Sequence, residues 1–192
     1  LVVLPRPVVT EWLENEPLLA LLPSDVGFFP QAQWHYVERR QGIAQLVLIY
    51  CRHGEGWLEI GPSRWRVQGG QAIAILPGIA HAYGANVNAP WTIYWVHMAG
   101  EKVAQVARLL GVDRSKPLFD PGHDPSLPPL YEAIIAQLSR GYTPVMLLEA
   151  SLLLARLVAR LLPTQVKEDS SSASSRIERV LLSLEQNLSA HV

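Results

Sequence analysis

The hydrophobic positions change period along the chain. Between Trp34 and Met98 they come in short runs rich in β-branched and aromatic side chains, such as QLVLIYCR (45–52), GWLEIG (56–61), SRWRVQ (63–68), QAIAIL (71–76) and WTIYWVHM (91–98). Glycine- and proline-containing turns separate them: HGEG at 53–56, IGPS at 60–63, QGG at 68–70 and LPG at 76–78. Strands at this spacing predict a β-sandwich or barrel. Several runs are apolar on both faces, so each needs a filled interior on one side and a cover on the other.

From Glu101 to Leu162 the period becomes helical. Val103, Val106, Ala107 and Leu110 form an i, i+3, i+4, i+7 stripe that Gly111 ends. Leu127, Leu130, Tyr131, Ile134, Ile135 and Leu138 repeat it, with Gly141 near the stop. The third helix, about 145–162, is apolar nearly all round, with Glu149, Arg156 and Arg160 on one narrow stripe. Such a helix packs on two sides at once. One side covers the strands; the other takes either the preceding helix or a second subunit. A second subunit would bury Leu147, Leu154, Leu157 and Leu161, or their neighbours on the free face.

PTQVKEDSSSASS (163–175) then has the composition of a flexible linker. Ser175-Arg176-Ile177-Glu178 reads as a capping box, and Ile177, Val180, Leu181, Leu184 and Leu188 give one more stripe. A lone amphipathic helix after a linker either folds back on the main domain or opens a further one. The first thirty residues are less regular, and Leu4-Pro5-Arg6-Pro7 reads as extended. The expected organisation is a main domain over 1–162, a linker over 163–175 and a separate helix over 176–192.

Composition narrows the classes. Of 192 residues, 49% are hydrophobic and 17% charged, enough apolar content for a sizeable core. No run of apolar residues is long enough to span a membrane, and the first residues lack a signal-peptide pattern, so a cytoplasmic location is expected. The single cysteine, Cys51, is expected as a buried hydrophobe in a strand. A net charge of −1 argues against this stretch gripping nucleic acid by itself.

GGQAIAILPGIAHAYG (69–84), Gly54-Glu55-Gly56-Trp57 and Pro90-Trp91-Thr92-Ile93-Tyr94-Trp95-Val96-His97 together resemble the sensor domain of AraC-type transcriptional regulators. The resemblance covers roughly Trp34 to Leu162, and RIERVLLSLEQNL also resembles the start of that family's helix-turn-helix DNA-binding domain. It implies a mainly β chain with helices: a cupin-like barrel followed by a helical dimerisation segment. Residues 176–192 would be the first helix of the DNA-binding domain. A small effector, often a sugar, would bind in the barrel. The helices would make a homodimer, and DNA would be contacted only through the further domain. An N-terminal arm would close over the ligand.

Arabinose-binding members use an arginine, a tyrosine, a histidine and a tryptophan, and the matching positions here are Arg39, Tyr83, Ile93 and Trp95. The aliphatic Ile93 in the histidine position puts arabinose itself in doubt and leaves a related sugar open. Sugar recognition needs flat aromatic surface and a few hydrogen-bonding groups in a concave apolar pocket. Alternation along 91–97 puts Trp91, Ile93, Trp95 and His97 on one face, which makes Trp95 the stacking platform if that face lines the barrel.

His81, after the Pro77-Gly78 turn, stands where many barrels present a metal ligand, and it joins the candidate ligand contacts. A catalytic metal needs about three converging protein ligands. His53, Glu55 and His97 show no such spacing and no H-x-H occurs, so neither metal nor cofactor is expected. Acids on the strands are few, Glu59 and Glu38, so the barrel should bind rather than catalyse. The competing readings are a stand-alone cupin that binds a sugar and a sugar isomerase or epimerase.

Overall fold

The computed structural model describes residues 1–15 and 20–162. In chain order the elements are β1 (Val2–Val3), α1 (Arg6–Asn15), β2 (Leu22–Phe29), β3 (Tyr36–Arg39), β4 (Leu46–His53), β5 (Glu55–Ile60) and β6 (Ser63–Gln68). Then follow β7 (Ala72–Ile75), β8 (His81–Ala85), β9 (Thr92–Ala99), α2 (Val103–Leu110), β10 (Leu118–Phe119), α3 (Leu127–Ser139) and α4 (Pro144–Leu161). Residues Leu1–Leu161 make one compact unit. The expected linker and the helix over 176–192 lie outside the described residues.

The strands form two antiparallel sheets, ordered β1-β2-β9-β4-β7-β10 and β3-β8-β5-β6. The chain passes from one to the other between β4 and β5, where a bulge at Cys51/His53 precedes Gly54. Gly54 has φ +74°, and a Cβ there would meet the Pro90 carbonyl oxygen at 2.3 Å, so this corner requires glycine. The inward side chains of both sheets form one core. Val47, Ile49, Ile73, Ile75 and Ile93 come from the first sheet; Leu58, Ile60, Val67 and Tyr83 come from the second. Cys51 lies in this core, and burial pushes its thiol up to about 12.

The outer face of the six-stranded sheet is covered by helices, as two-sided apolar strands require. Helices α3 and α4 pack on each other and on β2, and α3 also reaches β9. Alternation along β9 divides the labour: Ile93 and Trp95 enter the core, while Tyr94 stacks on Tyr131 of α3 at 5.3 Å and donates its hydroxyl hydrogen to Glu132. Helix α2 buries Val103, Val106, Ala107 and Leu110, and Gly111 ends it in the left-handed conformation at φ 67°.

Two expectations need correction. The strand region begins at Leu22, not near Trp34, and Arg6-Pro7 opens a helix instead of an extended segment. Proline is tolerated in a first helical turn because the N–H it lacks has no intrahelical partner there. Strand β2 was hidden by Pro23, Ser24, Asp25 and Gly27, residue types depleted in strands.

The second correction concerns α4. Leu147, Leu154, Leu157 and Leu161 are all buried inside the domain, facing α3 and the sheet, and are not available to a second subunit. The face left open carries Val145, Leu152, Ala155 and Ala159, with Leu148 half-buried beside them. All-round apolarity showed that the helix has two apolar faces but not which one the domain itself buries.

Candidate functional site

Strand register brings the inward positions of five strands to one end of the barrel. On β2 and β9 the partners are Asp25 and His97, Gly27 and Trp95, and Phe29 and Ile93. Ile49 of β4 pairs with Trp95 from the other side, and Val37 of β3 pairs with Tyr83 of β8. These side chains surround a cavity of about 330 Å³. That is the size of a small-molecule site.

One wall is aromatic. Trp95 lies against Gly27, where an added Cβ would sit 2.7 Å from its ring. Only glycine lets the indole lie flat on the neighbouring strand. Phe29 and His97 flank it at centroid distances of 5.7 and 5.0 Å. The opposite wall holds Val37, Arg39 and Tyr83, and the base holds Ile49 and Ile93. Burial raises the Tyr83 phenol above its ordinary value, with the charge and hydrogen bond of Arg39 acting against it. Burial lowers His35, so this wall residue is neutral at pH 7.

The N-terminal segment forms the rim. Leu1, Val3 and Arg6 line the cavity. The Arg6 guanidinium donates to both oxygens of Asp25 at 3.0 Å, and the Ser24 hydroxyl donates to Oδ2 at 2.7 Å. Burial alone would raise the Asp25 carboxyl, but His97, Arg6 and Ser24 outweigh it and hold the group at about 2. The His97 contact is the longest, 3.4 Å, and the two-pronged Arg6 pair is the stronger interaction.

A folded-state value of about 2 against the ordinary 3.8 makes this carboxylate stabilising at neutral pH. The sign follows from linkage: the contribution is full above the unfolded value and fades as pH falls from there towards the folded value. Its size is roughly 2 kcal/mol. Urea unfolding at pH 6 and pH 2.5 should therefore show an acid-induced loss that is smaller by about this amount in Asp25→Asn. Equal losses in both proteins would show that Asp25 contributes nothing.

The sequence profile described as the AraC-like ligand binding domain matches residues 22–181. The chain belongs to this family. A curated relative, the MmsAB operon regulatory protein of Pseudomonas aeruginosa, is 31% identical over 126 residues, 64% of this chain. This chain spans 40% of that relative's length. Solved structures of similar shape include an apo ToxT variant from Vibrio cholerae strain SCE256. It has 10% identity over 66% of this chain and 52% of that one, with a TM-score of 0.40. Another is an RmlC-like cupin with a double-stranded β-helix from Methanocaldococcus jannaschii, 11% identical over 41% of this chain and 69% of that one, with a TM-score of 0.31.

Within this AraC-like domain, four of the five residues singled out from the sequence, Arg39, Tyr83, Ile93 and Trp95, line the same cavity. Arg40 is the outward neighbour and pairs with Glu38 at 2.9 Å. His81 stands behind the wall and not in it. Its ring stacks on Tyr83 at 5.8 Å and 7°, and its Nδ1 donates to the Ile79 carbonyl at 2.7 Å. That bond leaves Nε2 as the acceptor, and burial lowers the imidazole below its ordinary value. Among the described residues no group of three or more His, Cys, Asp or Glu is placed to hold a metal ion. None of the described helices is long and apolar enough to cross a membrane.

Sequence reasoning missed Arg6, Asp25, Phe29 and His35 as lining residues. Asp25 carried a signal, an acid within an otherwise apolar segment. Phe29 carried none, because strand β2 itself was not visible, and Arg6 on α1 and His35 before β3 reach the cavity only through the tertiary fold.

Proposed function

We propose that this chain is the effector-sensing and dimerisation part of an AraC-type transcriptional regulator. A small molecule binds in the cavity between Trp95 and Arg39, and occupancy controls an attached DNA-binding region that begins near Arg176. The observation that carries this reading is the half-open cavity, with an aromatic wall, Arg39 on the wall facing it and a rim made by the N-terminal segment. Family membership supports the regulatory role, as does a relative named as an operon regulatory protein. The barrel binds and does not catalyse, and the N-terminal segment closes the ligand in.

The resemblance of Arg39, Tyr83 and Trp95 to the sites of arabinose-binding members makes a sugar such as a pentose one candidate effector. Ile93 works against arabinose, since an aliphatic side chain stands where a hydroxyl partner is needed.

Dimerisation uses the open face of α4. Val145 and Leu152 are more than half exposed there, at 65% and 53%. They recur at helical spacing with Leu148, Ala155 and Ala159, so they form one stripe.

The test is made on the protein translated beyond Val192. Sedimentation should show a dimer at micromolar concentration, and Leu152→Glu should give a folded monomer that binds a two-half-site operator far more weakly. A wild-type monomer would remove the dimer reading. A stop codon directly after Val192 would remove the DNA-controlling half.

A further inference from the structure

Within the reading of this cavity as the effector site, we propose that the effector is a small monocarboxylate with an apolar body, held by Arg39, and not a neutral sugar.

The charges around the cavity point this way. Arg6 and Asp25 neutralise each other as a pair. Glu38, the acid next in sequence to Arg39, is turned outward to Arg40. Arg39 therefore lines the cavity as a cation with no carboxylate within ion-pair distance among the described residues. A half-buried guanidinium without a counter-ion is unfavourable, and its fork suits the two oxygens of a carboxylate.

Hydrogen-bonding capacity gives a second, independent argument. Each hydroxyl of a bound sugar must donate as well as accept, so a sugar site needs acceptors. Among the described residues the only carboxylate lining this cavity is Asp25, and both its oxygens already accept from Arg6, with Ser24 adding a further bond. No Ser, Thr, Asn or Gln side chain among the described residues lines the cavity. Among the described side chains a pentose would find further acceptors only at the His35 and His97 rings and the Tyr83 oxygen, and each buried hydroxyl left without one costs about 1–3 kcal/mol. A carboxylate needs only donors, and Arg39 and the Tyr83 hydroxyl are donors on one wall.

The rest of the lining sets the body of the ligand. Phe29, Val37, Ile49, Ile93 and Trp95 offer apolar and aromatic surface around the arginine. A volume of about 330 Å³ holds about ten non-hydrogen atoms at the ~30 Å³ that liquid water takes per molecule. Branched short-chain acids and benzoate-sized acids both fit.

The experiment titrates the whole chain by tryptophan fluorescence and calorimetry. The probes are 3-methylbutanoate, hexanoate and benzoate, the primary amide of each, and L-arabinose and D-xylose. At least one acid should bind, its amide at least tenfold more weakly, and neither pentose at millimolar concentration. Arg39→Gln should abolish the preference of acid over amide, while Arg39→Lys should keep part of it. Circular dichroism establishes that both variants fold. A pentose that binds, with no acid binding, would overturn the carboxylate class and leave the effector site standing, provided Ile93→Trp abolishes the binding. Acid binding unaffected by both Arg39→Gln and Ile93→Trp would overturn the site itself. Binding of none of the probes would also count against the proposal.

Discussion

Trp91→Ala should lower the unfolding free energy by about 3–5 kcal/mol. Trp91 is the largest fully buried side chain among the described residues. It is seated against Gly56, where an added Cβ would lie 2.0 Å from the ring carbon Cε3. Truncation thus removes a large apolar surface and leaves a void walled by strands that cannot collapse, since register with their neighbours fixes them. Domain stabilities run at about 5–15 kcal/mol, so the loss is a large share of the total. Gly56→Val tests the same contact from the other side, by overfilling it. Denaturant unfolding decides the matter: a shift under about 1 kcal/mol for Trp91→Ala would mean that the indole is not part of the core.

Trp95→Ala should weaken effector binding at least about tenfold, or roughly 1.4 kcal/mol, with the fold intact. The cost arises because the indole is the flat surface on one side of the cavity and its neighbours Phe29 and His97 cannot take its place. Gly27→Ala should weaken binding in the same direction with Trp95 itself left in the sequence. The new methyl would stand 2.7–2.9 Å from the indole, so the ring must tip into the cavity. Competition titration with whichever ligand binds the wild type measures both. Wild-type affinity in a folded Trp95→Ala would remove this side chain from the site. Wild-type affinity in Gly27→Ala alone would mean that the ring can retreat without narrowing the cavity.

The site was legible in the sequence where strand alternation applies. Trp95 and Ile93 were placed together because successive side chains of one strand take opposite faces. Arg39 and Tyr83 came from resemblance alone, and nothing in their spacing joined them to Trp95. The two strands that carry them, β3 and β8, meet β9 only through the shared barrel interior. His81 illustrates the opposite error: its place after the turn suggested a side chain at the barrel mouth, but its bond to Ile79 holds it behind Tyr83.

By itself the sequence determined the order of β and helical regions, the two-sided burial of the long strands, and the barrel-then-helices class. These follow from hydrophobic period, which depends on near neighbours in the chain. Tertiary structure alone decided three other matters. It put a strand at Leu22–Phe29 despite its proline, serine, aspartate and glycine, because pairing with β9 outweighs local propensity. It spent the Leu147, Leu154, Leu157 and Leu161 face of α4 on the domain's own core and left the Val145–Leu152 face open. It also paired Arg6 with Asp25, 19 positions apart, which leaves Arg39 as the cavity's uncompensated charge. Each of these rests on contacts between residues distant in sequence, and no local pattern encodes which distant residue a side chain will meet.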